Sequence, residues 1–268
     1  KRHVYRIGKN KPGIFKTDRT IIHPIDRKLL RDELAKAELL TVTSDNKKIY
    51  LVNFINGQNL VREIGRLREV TFRKVGEGTG NKLDIDEYDR YYQHVVIWDE
   101  NEMEIIGSYR LGDATEIIPK YGPQGFYNAS LFMFSDDFIP YLEKSLELGR
   151  SFIQQKYWRS NALDLLWQGI GAFLKNKPEL KYLFGAVSIS DNYSEYAKTL
   201  LVYFYNHYFG DPENLARSKH RFLLTKQEEE EAMQVVSGSN YEQDFRNLKF
   251  TLKTLGFSVP ILFRRYTE

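Results

Sequence analysis

The chain has 268 residues, 42% of them hydrophobic and 14% aromatic, with a formal net charge of +3. That length and composition fit one large domain, or a domain with an appendage, burying a substantial core, and they exclude a disordered chain. So weak a charge gives no case for nucleic acid as a partner, and the absence of cysteine removes disulfides, thiolate nucleophiles and Cys-ligated metals.

Residues 1–25 are basic, contain Pro12-Gly13 and Pro24, and read as an irregular arm. Nothing apolar stands behind Lys1-Arg-His-Val-Tyr-Arg6, so no secretion signal is expected. Ile25 to Ala37 reads as a short helix, capped by Asp26 and striped by Leu29, Leu30 and Leu34. Leu39 to Thr43 and Lys48 to Asn53 flank Ser44-Asp-Asn-Lys47 as a hairpin. Asn59 to Lys74 is amphipathic, with Leu60, Ile64, Leu67 and Phe72 inward and Arg62, Arg66 and Arg73 outward. The glycines of Val75 to Asn81 mark a flexible loop. Two strands then fall within 93–111, followed by a Gly/Pro-rich loop around Gly122-Pro-Gln-Gly125, and Ser145 to Gln154 is a further strand.

Asn161 to Asn176 is the clearest helix, with Asn161 as its cap and Leu163, Leu166, Trp167, Ile170 and Phe173 as its buried face. Tyr182 to Ser188 is a short, nearly continuous apolar run, as expected of a strand buried on both faces. Ser194 to Phe209 is an aromatic-rich helix, Glu228 to Glu231 lies on an exposed one, and Tyr241 to Leu255 forms another, closed by Gly256. Pro260 to Phe263 reads as a last strand. Hairpins first and strand–helix–strand later give an α/β (α+β) class, with a mixed sheet and helices on both faces. No apolar run approaches the ~18 residues that span a bilayer, so the expectation is a cytoplasmic protein, meeting the inner membrane at most peripherally.

Ionisable residues interrupt the strand-like patterns at Asp86, Asp89, Arg110, Glu147 and Arg150, where a strand that only packs would carry none. Glu147 and Arg150 point to opposite faces of a regular strand, but Gly149 between them permits a bulge that exposes backbone N–H groups. From spacing alone, a salt bridge fixing strand register is the simpler reading of that pair. A solvated loop is likewise the simpler reading of Asp84, Asp86 and Asp89, although together they can hold a cation or a substrate ammonium. His94 opens an apolar strand, where a hydrogen-bonded core histidine is commoner than a base. No second ligand stands at metal spacing from it. Phosphate-loop, dinucleotide and nucleophile-elbow motifs are absent.

Seven segments occur in order: Arg68-Glu-Val-Thr-Phe72, Asp84-Ile-Asp-Glu-Tyr-Asp89, His94-Val-Val96, Gly107-Ser-Tyr-Arg-Leu111, Gly125-Phe-Tyr127, Glu147-Leu-Gly-Arg150 and Leu166-Trp-Gln-Gly-Ile170. The series resembles the GNAT-superfamily long-chain N-acyltransferases that make ornithine, glycine and other aminolipids, often labelled hemolysin-like. It is distantly similar to acyl-homoserine-lactone synthases.

The resemblance covers roughly residues 50–190. It implies a GNAT-like, mostly antiparallel sheet whose strands splay near Arg150 and Ser188 to admit a phosphopantetheine arm. It further implies an acyl–acyl-carrier-protein donor, an amino-acid acceptor and no other cofactor. On that basis the arm at 1–45 precedes an acyltransferase domain at 46–268, with a helical extension from about 191. Glu147 becomes the candidate base, and Arg150, Arg110, Asp89, Asp86 and His94 join it in the catalytic group. Arg68, Phe72, Ser151, Phe152, Arg159 and Asn161 become candidates for holding the acyl arm. The face bearing Arg62, Arg66 and Arg73 becomes a dock for the acidic carrier, with Lys156 and Arg159 near its entrance. The alternatives are a lactone synthase, weakened by a missing tryptophan after Phe72, and a non-catalytic membrane-active protein, for which only Leu200 to Phe209 offers a suitable segment.

Overall fold

Along Gln93–Asp99, β-branched residues and a tryptophan alternate between two buried faces, and this segment becomes a central strand. In the computed structural model, which describes residues 18–267, Arg27–Leu34 (α1) leads into the hairpin Glu38–Val42 (β1) and Lys48–Asn53 (β2). Gln58–Lys74 (α2), Gln93–Asp99 (β3) and Glu104–Asp113 (β4) follow. Three short helices, Ala114–Tyr121 (α3), Asn128–Leu131 (α4) and Ile139–Leu142 (α5), surround Phe132–Phe134 (β5). Ser145–Ile153 (β6), Ala162–Lys175 (α6) and Tyr182–Phe184 (β7) complete the main layer. Beyond it lie Glu195–Phe209 (α7), Ala216–Ser218 (β8), Lys226–Met233 (α8), Tyr241–Thr254 (α9) and Ile261–Thr267 (α10).

The six-stranded sheet has the order β1-β2-β3-β4-β6-β7, antiparallel throughout except for the parallel β6–β7 pair. Val95 and Ile97 face α6, where Leu166 and Ile170 pack, while Val96 and Trp98 face α1 and α2, where Leu30, Leu60 and Ile64 pack. Period-two alternation thus buries both sides of β3. Each of these fully buried side chains contributes ~1.5–3 kcal/mol. Separately, α7, α8 and α9 enclose a core around Leu200, Phe204 and Leu248.

Several expectations need correction. Tyr182 to Ser188 is not a doubly buried strand: only Tyr182–Phe184 pairs, at the sheet edge, with Tyr182 and Leu183 more than 40% exposed. Pro260 to Phe263 is not a strand, since helix begins at Ile261; a four-residue apolar run carries no period to separate the two. The loop at 75–81 is pinned rather than free, because the Glu69 carboxylate accepts the backbone N–H groups of Thr79 and Gly80 and the Thr79 hydroxyl. The boundary at 45/46 falls inside the β1–β2 hairpin. Residues 1–17 of the expected arm lie outside the described residues. The aromatic surface of α7 is taken up by the C-terminal core, as in the Phe204–Phe245 and Tyr208–Tyr241 contacts. Among the described residues, no helix is long and apolar enough to cross a membrane.

Candidate active site

The strand pair β6–β7 has three partnered positions and parts after Glu147↔Phe184. Gly185 marks the point of separation. A Cβ there would stand 2.1 Å from the Leu148 carbonyl oxygen, so only glycine lets the two chains touch before they diverge. On its other side β6 pairs with β4, and there the register slips between Ser108↔Phe152 and Arg110↔Gly149. The extra residue is a bulge, and Arg150 takes it up at φ 51°. The sequence expects Gly149 to allow this bulge, yet the left-handed residue is the arginine, a conformation costing an L-residue ~1–2 kcal/mol.

An ion network holds Arg150 there. Its guanidinium lies 3.3 Å from Asp84 and 3.5 Å from Asp86. Arg110 on β4 reaches Asp86 at 2.6 Å and Asp89 at 3.4 Å. Arg68 on α2 reaches Asp89 at 2.8 Å and donates to His94 Nδ1 at 3.2 Å. Asp86 and Asp89 also cap each other across the turn Glu87–Arg90. Three guanidinium groups therefore meet three carboxylates, and Arg68, Asp89, His94 and Arg110 are all at most 1% exposed. This corrects the solvated-loop reading of the acidic run. Arg110 lies 5.1–5.7 Å from the ring centroids of Tyr88, Tyr92 and Tyr127, which takes the place of missing hydrogen bonds at its Nε and Nη2. The network ties α2, the 84–90 turn, β3 and β4 to the bulge, so its geometry sets the geometry of Arg150.

Burial opposes charge on Asp89, but Arg68 and Arg110 outweigh it and hold the carboxyl well below its usual range. Burial raises the Asp84 carboxyl, only partly offset by Arg150 and Arg68. Burial together with Arg68 pushes His94 down to about 3. His94 is thus a neutral acceptor in the network rather than a base. Because its folded value lies below the ~6.5 of a free imidazole, the unfolded chain binds the extra proton. Stability is full above about pH 6.5 and declines as pH falls toward 3, with Asp89 adding a second loss below about pH 4. Urea denaturation at about pH 4.5 should show roughly 2–3 kcal/mol less stability than at neutral pH from His94 alone. His94→Gln should flatten that slope, and an equal slope in the variant would count against the assignment.

Glu147 stands elsewhere. It is 2% exposed, and its carboxylate accepts the Tyr92 hydroxyl and the backbone N–H groups of Tyr127 and Asn128 at 3.2 and 2.7 Å. It bonds no arginine, which corrects the register salt bridge, and as candidate base it lines neither cavity itself, although Tyr127, whose N–H it accepts, lines the larger one. Burial raises its pKa, countered by Tyr92 and Asn128. Its geometry makes it a latch holding the segment from Tyr127 against β6.

Beyond Leu148 the freed edge of β6 opens on a cavity of about 630 Å³, lined by Gly149, Arg150 and Ser151 from β6, Ala186 to Ser188 after β7, and His220. A second, mainly apolar cavity of about 380 Å³ adjoins it; Phe72, Glu77, Ser151, Ile261 and Leu262 line both. Phe152 and Trp158 border only the second. Of the residues expected to hold an acyl arm, Phe72, Ser151 and Phe152 thus reach the cavities. Arg68 is sealed in the ion network, while Arg159 and Asn161 stand exposed and line neither cavity. Asn161 makes no side-chain cap bond.

The expected carrier dock on α2 is largely spent: Arg66 Nε bonds Glu63 at 2.8 Å, and Arg73 bonds Glu69 at 2.7 Å. Lys156 is paired with Glu104. The sequence reading overlooked Glu77, Tyr92, His220 and the turn into α10. None belongs to a local motif, and only the fold carries His220 to residues some seventy positions earlier.

The acetyltransferase (GNAT) domain family matches residues 67–168, which hold the ion network and the bulge. Over 259 residues the chain is 34% identical to the glycine N(alpha)-acyltransferase of Bacteroides thetaiotaomicron, covering 92% of this chain and 77% of that protein. It is also 34% identical to the glycine N(alpha)-acyltransferase of Phocaeicola vulgatus over 260 residues, 92% of this chain and 79% of that one. The L-ornithine N(alpha)-acyltransferase of Rhizobium meliloti is 30% identical over 125 residues, 44% of this chain and 41% of that protein. No solved structure matches. A sheet that parts at a bulge, an adjoining apolar cavity and relatives aligned along nearly all of the sequence place the chain in the GNAT-superfamily amino-acid N(alpha)-acyltransferases.

Proposed function

We propose that the chain moves a long fatty acyl group from the phosphopantetheine thioester of an acyl carrier protein to the α-amine of glycine, giving a lyso-aminolipid. The observation that carries this reading is the bulge at Arg150, just past the point where β6 loses its β7 partner, facing the 630 Å³ cavity. Backbone N–H groups released from a ladder at such an edge suit a tetrahedral oxyanion, and fixed donors of this kind contribute strongly to acyl transfer. The adjoining cavity is walled by Phe152, Ile153, Trp158, Leu163 and Leu166 and suits an apolar chain.

Glycine is favoured over ornithine because the glycine enzymes align with 92% of the chain and the ornithine enzyme with 44%. The carrier is favoured over coenzyme A by the segment Gln155-Lys-Tyr-Trp-Arg-Ser-Asn161 ahead of α6. It contains no glycine, so it offers no glycine-rich cradle for a nucleotide pyrophosphate; a carrier-borne arm has no pyrophosphate to bind. The test supplies purified protein with a long-chain acyl thioester on carrier protein or on coenzyme A, and with glycine or ornithine, and measures N-acyl product by mass spectrometry. N-acylglycine from the carrier thioester should form at least about tenfold faster than any other combination. Equal use of both donors, or preference for ornithine, would overturn the corresponding half of the reading.

A further inference from the structure

We propose that His220, delivered by the C-terminal extension, is the general base that takes a proton from the acceptor's α-ammonium; this rests on the amino-acid acylation just proposed. Glu147 lines neither cavity, so a base that meets the ammonium directly comes from the side chains that do. The titratable and charged side chains there are Glu77, Tyr127, Arg150 and His220. The Arg150 guanidinium is donor-only, with no lone pair to take a proton, and is held by Asp84 and Asp86. The Tyr127 ring is engaged by the guanidinium groups of Arg110 and Arg150, at 5.3 and 5.2 Å from its centroid. Glu77 accepts the Ser188 hydroxyl at 3.0 Å, and a carboxylate is a weak base for an amine. Imidazole suits proton removal near neutral pH.

The position of His220 is built. Its backbone N–H and carbonyl both engage the Ser218 hydroxyl, at 3.2 and 2.8 Å. Next to it, Lys219 donates its backbone N–H to the Leu131 carbonyl at 2.9 Å and its ammonium to the Ala129 carbonyl at 2.6 Å. The preceding residues pair as β8 with β5. This turn is therefore fastened to the same segment that Glu147 latches, on the wall of the cavity that includes Gly149 and Ser151. The imidazole takes one proton from the ammonium and later releases it to water. The freed amine forms the C–N bond with the thioester carbon, the C–S bond breaks, and the second nitrogen proton goes to the departing thiolate. Amide and thiol are the products, and no other reactant is consumed.

His220→Ala and His220→Gln are assayed with carrier thioester and glycine across about pH 6–10. Expected is a fall of ~10²–10⁴ in kcat/KM near pH 7, narrowing as pH rises and the amine deprotonates unaided, with partial recovery of the alanine variant in added imidazole. The melting temperature should hold, because His220 is exposed. A loss below about threefold, or one constant across pH, overturns the assignment, as does finding the pH-dependent loss in Glu77→Gln instead. Failure of the acceptor reading looks different: wild-type protein then makes no N-acylglycine at all.

Discussion

Arg68→Ala is expected to cost about 3–5 kcal/mol of folding stability, which places it among the most damaging single changes in the chain. The side chain is fully buried on α2, and its removal strands a carboxylate rather than a hydrophobic contact. Asp89 would keep Arg110 at 3.4 Å but lose its 2.8 Å partner while remaining fully buried. Asp89→Asn should cost at least as much, since it deprives Arg68 and Arg110 together. Turnover should fall along with stability in both variants, because the network also holds Arg150 at the bulge. Urea titration with each variant at neutral pH decides the matter. A loss below about 1 kcal/mol, the range of exposed pairs, would show that the cluster is far more solvated than its burial implies.

Gly149→Val should have the opposite profile, with the fold intact and catalysis lost. Gly149 does not occupy a left-handed conformation, and a Cβ built on it meets nothing within 4 Å. Valine is a good strand residue, so the backbone tolerates it. Its isopropyl group, however, would project into the 630 Å³ cavity at the bulge, where the thioester is proposed to lie. Displacing a reacting group by about 1 Å costs on the order of 10²-fold, so kcat/KM should fall by at least that factor. The melting temperature should move by no more than about 4 °C, equivalent to ~1 kcal/mol. Normal turnover in this variant would place the reaction elsewhere.

Legibility followed the range of the interactions. Leu60, Ile64 and Leu67, four and three residues apart, announce α2, and Val95 to Trp98 announce a strand, because burial repeats with the period of the backbone. The ionisable residues within strands marked where chemistry could lie, but a solvated loop was the simpler reading of the acidic run, and only the fold gathers it with Arg68, Arg110 and Arg150. What could not be read was the pairing. Glu147 and Arg150 are three residues apart and look like partners, yet the bulge sends one to Asp84 and Asp86 and the other to Tyr92 and the backbone at 127–128. Short apolar runs failed for a different reason. Tyr182 to Ser188 and Pro260 to Phe263 are too brief to show a period, and tertiary neighbours decided them: an edge beside β6, and α6, where Trp167 meets Tyr266. Helix α3 was hidden by its internal Pro119 and by the glycines that follow it.

The cavity beside the bulge is walled by Phe72 and Glu77, Tyr127, the bulge itself, Ala186 to Ser188, His220, and Pro260 to Leu262. During synthesis at ~5–20 residues per second, the sheet can form long before its reaction chamber does. For roughly 5–20 seconds the bare edge of β6 stands without the turns that later wall it, a template for strand addition by other chains. The ion network lies wholly within residues 68–150 and is already able to close, so the bulge can be set while the pocket is still open. Residues 260–262 are the last part of that lining to be made, so the cavity is completed only when they dock. A nascent chain should gain protease resistance through the end of β6 well before it gains any capacity to bind an acyl thioester.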